Sequence, residues 1–301
     1  MEQTAYRKII LAASLWGCIG VFLKLLTAVG LSSMEGVAIR GTVAAVVYGL
    51  FLACTDPAAL RIHPRHWYYF FGTGVCSLLF FNWCYFNAIS SSSMSVAAVL
   101  LYTSPVFVTF LSAILFRESV TLKKLAALVL TFAGCAFVTG LFPLGQQSVS
   151  WKTILFGLGS GFGYALYSIF GKFALQRYSS STVTFYTFLF SALFSLPISG
   201  LYRDLPLLTD GRAILGALGI GVLCCILPYL LYTEGLRWAE AGKAAILATV
   251  EPFVAALLGI CLFHEAVTVY KLIGMAAIFS AILLLNCTKT GHAEQSEKIS
   301  S

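Results

Sequence analysis

Charge is what this sequence has least of. Asp, Glu, Lys and Arg make up 10% of its 301 residues, and apolar residues make up 59%. Soluble domains carry about 25% charged residues, so the composition excludes an ordinary water-soluble fold. Between Trp67 and Phe116 there is no charged residue at all, a run of 50. As one helix that run would be roughly 75 Å long. The hydrocarbon core of a bilayer is only about 30 Å thick, so the chain must turn inside the run, near Ser90–Ser93. The apolar stretches are continuous rather than alternating, which argues against a transmembrane β-barrel.

Reactive patterns are missing too. The nine cysteines (18, 54, 76, 84, 135, 224, 225, 261 and 287) form neither a CxxC pair nor a Cys/His ligand spacing, and they read as small apolar packing residues. There is no HExxH and no Ser/His/Asp constellation, and His63, His66, His264 and His292 fall in loops, at span ends or in the tail. No metal, no cofactor and no enzymatic activity are expected. Gly157, Gly159, Gly161 and Gly163 follow no strand and precede no Walker lysine, so they do not read as a phosphate loop. With Gly17 and Gly20 they read as surfaces for close helix packing. The net charge of +7 comes without a basic cluster interleaved with exposed aromatics, so no nucleic-acid partner is expected.

What the sequence does have is a repeat. PVFVTFLSAILFRESVTLKKL (105–125) returns 147 residues later as PFVAALLGICLFHEAVTVYKL (252–272). Pro105 matches Pro252, Phe116 matches Phe263, Glu118 matches Glu265, Thr121 matches Thr268 and Lys124 matches Lys271. The register also pairs Gly72-x-Gly74 with Gly219-x-Gly221, and Tyr85 with Tyr232. Length and charge punctuation predict ten helices: about 7–29, 33–54, 66–90, 94–116, 122–142, 151–175, 181–201, 211–237, 241–263 and 268–287. Five spans precede the second copy and five follow. An odd number per half makes the halves cross the membrane in opposite senses, the inverted-repeat plan of many secondary transporters. The expected fold is an all-α membrane protein of ten transmembrane helices in two inverted five-helix repeats. The first repeat is 1–142, an outside linker is 143–150, the second, inverted repeat is 151–287, and 288–301 is a polar, disordered cytoplasmic tail.

Lysine and arginine set the expected orientation. With the N-terminus inside, cytoplasmic positions hold 13 of the 19 Lys and Arg residues, and Lys24, Arg40, Lys152, Arg203, Arg212 and Lys271 fall on the other side. Both termini are therefore expected in the cytoplasm, with the chain in the plasma (inner) membrane. The first apolar stretch resembles a signal peptide only superficially. Nine further spans and the lack of a small-x-small cleavage site favour a retained helix.

Several residues stand out as site candidates. Pro105, Pro228 and Pro252 interrupt helices four, eight and nine, and each frees a carbonyl four residues earlier, on Leu101, Cys224 and Ala248. Inside hydrocarbon a freed carbonyl needs a neighbouring hydroxyl or a wet cavity, and the Pro105/Pro252 pair points to a shared central cavity. Glu251 lies near the middle of helix nine, where a carboxylate must be protonated, paired or wet. It reads either as a substrate or proton site or as a hydrogen-bonded structural carboxyl. Arg40 is its natural partner to look for, although Arg40 could also snorkel outward. Glu234 can pair with Arg237 on the same helix face, and Lys172 and Lys243 read as interface anchors. The two Glu-x-x-Thr turns read as structural turns capped by Thr121 and Thr268, or as contacts gating each face. Mid-span hydroxyls and amides need partners. The pocket candidates are Trp16, Asn82, Tyr85, Tyr102, Tyr164, Tyr229, Thr249 and Glu251.

The segment Pro-x(10)-Phe-x-Glu-x-Val-Thr resembles the EamA-type drug/metabolite transporter family. So do GLRWAEAGKAAILATVEPFVAALLG (235–259), SLWG (14–17) and NAISSSSMSVAAVLLYTSPVF (87–107). The resemblance covers nearly the whole chain. It implies ten helices in two inverted halves around a cavity lined mainly by helices one, three, four, six, eight and nine. It also implies transport of small metabolites, amino acids or drugs, often outward. The expected activity is alternating-access movement of a neutral or zwitterionic organic solute, with the small-molecule substrate and the bilayer as partners. A multidrug exporter of lipophilic cations is the alternative, and a non-transporting intramembrane enzyme or scaffold a weaker one.

Overall fold

Helix is the only way an apolar chain can satisfy its backbone without water, short of a closed barrel. The computed structural model describes residues 2–141 and 149–286, and among these there is no strand. The elements of the first part are α1 (Glu2–Trp16), α2 (Ile19–Ala28), α3 (Ser33–Thr55), α4 (Trp67–Phe71), a π segment Gly72–Leu79, α5 (Phe80–Ser91), α6 (Met94–Leu101), α7 (Ser104–Phe116) and α8 (Leu122–Val138). The second part has α9 (Trp151–Ala174), α10 (Ser180–Ser199), α11 (Gly211–Leu218), a π segment Gly219–Ile226, α12 (Leu227–Trp238), α13 (Ala241–Leu247), α14 (Val250–Phe263) and α15 (Val269–Asn286). Among the described residues seven helical stretches are long and apolar enough to cross a membrane, and Val269–Leu285 is a shorter apolar helix. Residues 143–148 of the expected linker 143–150, and the tail at 288–301, lie outside the described residues.

The register of 147 seen in the sequence persists in the backbone. It carries the first π segment onto the second and α5 onto α12, end for end. It also carries Arg117, at φ 55°, onto His264, at φ 52°. Each of these left-handed residues closes a helix, and the next N–H returns to the carbonyl six residues earlier. Glu118 N donates to Ser112 O at 3.3 Å, and Glu265 N donates to Gly259 O at 3.1 Å. The starts match as well. Thr121 Oγ1 accepts from Lys124 N at 3.3 Å and Thr268 Oγ1 accepts from Lys271 N at 3.2 Å, so both threonines are the expected N-caps.

The helices pack chiefly across the two parts: α8 on α15, α3 on α10, α1 on α12, and α5 on α9. The register exchanges the last two pairs and maps each of the first two onto itself, the contact pattern of a two-fold relation. Glycine permits a close crossing of α8 and α15. A Cβ on Gly134 would sit 2.9 Å from Gly274 O, and one on Gly274 would sit 2.6 Å from Gly134 O. The surface is apolar, with Leu50, Phe110, Leu122 and Val129 exposed, while Thr73, Ser160, Thr187 and Ser195 are buried. Hydrocarbon gives no drive to hide leucine, so small polar residues take the inside, where they can bond backbone and one another. Thr73 and Thr187 do so, hydroxyl to hydroxyl, at 2.6 Å.

Three expectations are corrected. The first rod is broken at Gly17–Cys18 rather than continuous. A Cβ on Gly17 would meet Val254 Cβ at 2.7 Å and Glu251 O at 3.0 Å, so the break lies against α14. Pro228 does not by itself create the irregularity in helix eight. The matching π segment in the first part precedes Phe81, and the shared feature is the Gly-x-Gly at the start of each. Pro228 lies just after the second π segment, inside the continuous helical stretch Gly211–Trp238. Glu234 pairs with Lys8 rather than Arg237.

Candidate functional site

Broken helices leave side chains pointing at one place. Trp16 ends α1 at its break. Tyr164, Tyr167 and Ser168 share one face of α9 by their spacing, and Tyr229 and Tyr232 do the same on α12. Together with Ser77, Leu78 and Phe81 they line a small cavity. It has room for roughly one water molecule. The Trp16 ring meets Tyr229 edge-on at 5.1 Å, Tyr232 at 5.2 Å and Tyr164 at 6.4 Å. Most of the wall's hydroxyls are bonded. Tyr167 Oη and Thr233 Oγ1 are 2.6 Å apart, and Ser168 Oγ and Tyr232 Oη are 2.7 Å apart. Trp16 Nε1 and Ser77 Oγ are buried without a partner among the described residues, so the wall holds polar groups in reserve.

Glu251 adjoins this wall. Tyr164 Oη donates to Glu251 Oε2 at 3.1 Å. The expected partner, Arg40, is not bonded to it: no carboxylate lies within ion-pair distance of Arg40 among the described residues. Arg40 is 8% exposed, so it does not snorkel out. Arg40, Tyr85, Tyr102, Cys135 and Tyr229 all lie within electrostatic reach of the Glu251 carboxylate.

Two helices break just before matching prolines. Before Pro252, helix nine opens at Ala248–Thr249; before Pro105, helix four opens at Tyr102–Thr103. The Ala248 carbonyl, expected to be free, accepts Glu251 N at 3.1 Å. Thr103 Oγ1 donates to Leu100 O and Thr249 Oγ1 to Ile246 O, each at 2.6 Å, so threonine closes both breaks locally. On α9, a Cβ at Gly161 would meet Thr103 Oγ1 at 2.5 Å and the Leu100 and Leu101 carbonyls at 2.9 and 3.1 Å. The glycine face therefore seals the first break.

Of the residues singled out from sequence, Trp16, Tyr164 and Tyr229 line the cavity and Glu251 is bonded at its edge. Tyr85 and Tyr102 are half-buried on the Glu251 side. Asn82 and Thr249 are buried but turn to their own helices, on Leu78 O and Ile246 O, each at 2.6 Å. Ser77, Leu78, Phe81, Tyr167, Ser168 and Tyr232 line the cavity without having been among the pocket candidates. Ser168 was within reach of reasoning, since it lies one turn beyond Tyr164 on the same face.

The two Glu-x-x-Thr turns differ in their contacts. Glu118 Oε1 is 2.5 Å from Lys172 Nζ and accepts Ala241 N at 2.7 Å, while Oε2 accepts Gly242 N at 3.2 Å. The carboxylate thus caps the start of α13, joining the first part to the second. Lys172, expected as an interface anchor, is committed to this clasp and also donates to Ala239 O at 3.1 Å. Burial by itself would raise the Glu118 carboxyl. The Lys172 ammonium and the two N–H donors outweigh burial and hold it below its ordinary value. Glu265, by contrast, is half exposed and binds Lys271 in its own turn at 2.9 Å.

Apolar rods paired across two similar parts, broken beside an aromatic cavity with one carboxyl, define a helical membrane protein of the solute-transporting class. The chain belongs to the EamA-like transporter family, whose model matches residues 4–140 and again 151–287. An uncharacterized transporter of Archaeoglobus fulgidus is 32% identical over 278 residues, covering 92% of this chain and 94% of that protein. The threonine/homoserine exporter RhtA of Escherichia coli is 28% identical over 202 residues, 66% of this chain and 65% of that protein. A solved crystal structure, 17% identical, shares the fold with a TM-score of 0.78 over 94% of this chain and 96% of that one.

Proposed function

We propose that this transporter moves a small, amino-acid-like or other neutral or zwitterionic metabolite outward by alternating access, through ten spans arranged as two inverted five-helix halves. The seven long apolar stretches supply part of that count. Trp67–Ser91, Leu122–Val138 and Val269–Asn286 supply the rest. The self-paired packing of α8 on α15 and α3 on α10 supports the two-fold relation. The charge bias supports termini on the cytoplasmic side. A cysteine placed at Ser296 should then react only with reagent that reaches the inside.

The observation that carries the reading is the Trp16–Tyr164–Tyr229 cavity beside Glu251, which stands at one of two helix breaks that precede matching prolines. A cavity that holds roughly one water admits a metabolite only if the helices around it part. Local breaks and glycine contacts let them part without unfolding. The likeness to the threonine/homoserine exporter makes hydroxylated amino acids the first substrates to try. The test is a metabolite export and uptake screen in cells making the protein, with empty-vector cells and Trp16→Ala as controls. A solute exported by the wild type and not by Trp16→Ala supports the reading. The absence of any such solute would end it. A multidrug reading has one observation in its favour, aromatic rings beside an acid, which suits lipophilic cations. Export of those cations in place of amino acids would select it.

A further inference from the structure

Arg40 is a buried charge with no counter-ion among the described residues. It lies in α3, is 8% exposed, and its Nη2 is buried with no hydrogen-bond partner. None of the ion pairs among the described residues includes it. A guanidinium cannot shed its charge as a lysine can. A buried cation without a paired anion is costly, and within a membrane such groups face a cavity or a partner. Its surroundings are specific. Glu251, Tyr229, Cys224 and Cys225 lie within its electrostatic reach, and Tyr229 is part of the cavity wall. Glu251, though within reach, is turned to Tyr164 and stays beyond ion-pair distance. Arg40 does not itself line the cavity; α3 packs on the second π segment, which runs into α12 and Tyr229 of the wall, so two opposite charges lie near one aromatic cavity without meeting. The cavity keeps two further unpartnered buried groups, Trp16 Nε1 and Ser77 Oγ.

We propose that Arg40 is the carboxylate-binding group of the transport site, and that Arg40 and Glu251 together select solutes carrying both an anionic and a cationic end. This rests on the reading of the aromatic cavity as the substrate site. Arg40 offers a planar fork of N–H donors, which matches a carboxylate in two parallel bonds. Glu251 receives the ammonium end, and the Trp16 and Tyr164 rings cover the apolar middle. A solute of this class completes the missing ion pairs on both sides. A neutral or singly charged solute leaves one buried charge unpaired, which works against its binding. The discrimination is thus built from penalties as much as from attraction.

The experiment compares L-threonine, its carboxamide and the corresponding decarboxylated amine as competitors for binding to the purified full-length protein. The same three ligands are tested on Arg40→Gln, Glu251→Gln and Trp16→Ala. For the wild type the expected order is threonine over amide and amine by about 10- to 100-fold, the weight of one charged hydrogen-bonded pair. Arg40→Gln should bring the three within a few-fold of each other by weakening threonine alone, and Trp16→Ala should weaken all three. Because Arg40→Gln could fold poorly, the wild-type ligand series stands as a separate test that needs no variant. Equal binding of amide and acid by the wild type would overturn the carboxylate assignment. So would an Arg40→Gln protein that keeps the full preference. In either case, a continued loss of binding in Trp16→Ala would leave the cavity reading standing. Binding of all three that is indifferent to Trp16→Ala would overturn the cavity reading as well.

Discussion

Glu118 and Lys172 close one end of the molecule: their charges meet at 2.5 Å, and the same carboxylate caps the first two N–H groups of α13. The residues that correspond to Ala241 and Gly242 in the first part are Met94 and Ser95, at the start of α6. There Glu265 makes no such contact. It holds Lys271 instead, and Ser93 caps α6 through Val96 N at 3.3 Å. Two turns with one sequence motif thus stand in two conditions, one clasped and one not.

If alternating access exchanges the two conditions, cross-linking should report it. Cysteines at positions 118 and 241 should join readily without substrate, and cysteines at 265 and 94 should join only during turnover. Each cross-link should stop transport, and reduction should restore it. Indifference of the second pair to transport substrate would show that the turns are structural only.

The Glu118 clasp should respond to acid. Its carboxyl is held below its ordinary value by Lys172 and the α13 N–H groups. A depressed value in the folded state contributes stability that is present at neutral pH and lost as pH falls through that value. The apparent melting temperature in detergent should therefore be flat near neutrality and fall below about pH 4. Glu118→Gln should lower the neutral-pH stability by about 2 kcal/mol and blunt this acid limb. An unaltered acid limb in Glu118→Gln would assign the effect to other carboxylates.

Glycine positions should separate cleanly by what a methyl group would meet. Gly161→Ala drives a carbon onto the Thr103 hydroxyl and two backbone carbonyls of the broken helix, and overpacking there should cost about 1–3 kcal/mol. Gly20→Ala meets nothing within 4 Å and replaces a poor helix former in α2, so it should be neutral or stabilising by up to about 1 kcal/mol. Thermal melts of the two variants at matched expression check both signs at once.

Glu251→Gln keeps size and hydrogen bonding toward Tyr164 but removes titration. If proton movement accompanies transport, the variant should fold, bind a zwitterionic solute more weakly and lose the pH dependence of transport in proteoliposomes. Tyr164→Phe removes the hydrogen bond that Tyr164 gives the carboxyl and should weaken transport while retaining pH dependence. A Glu251→Gln protein with the wild-type rate and pH profile would reduce Glu251 to a structural hydrogen-bonder.

The sequence by itself determined the class of protein, because the reason is compositional. A chain with 50 consecutive uncharged residues can only bury its backbone polarity in helices. It also determined the repeat, since Pro105/Pro252, Arg117/His264 and Thr121/Thr268 occupy equivalent places in the backbone because local chemistry places breaks, left-handed closures and caps. Tertiary structure decided the partners. Nothing local says that Glu118 will find Lys172 and α13, that Glu234 will find Lys8, or that Glu251 will bond Tyr164 rather than Arg40. Likewise Asn82 turned to its own Leu78 carbonyl, and Ser77, with no chemical signature in the sequence, entered the cavity wall. Such choices depend on which helix faces meet after packing, and in a chain that is apolar on nearly every face the pattern of hydrophobicity does not encode which face that is.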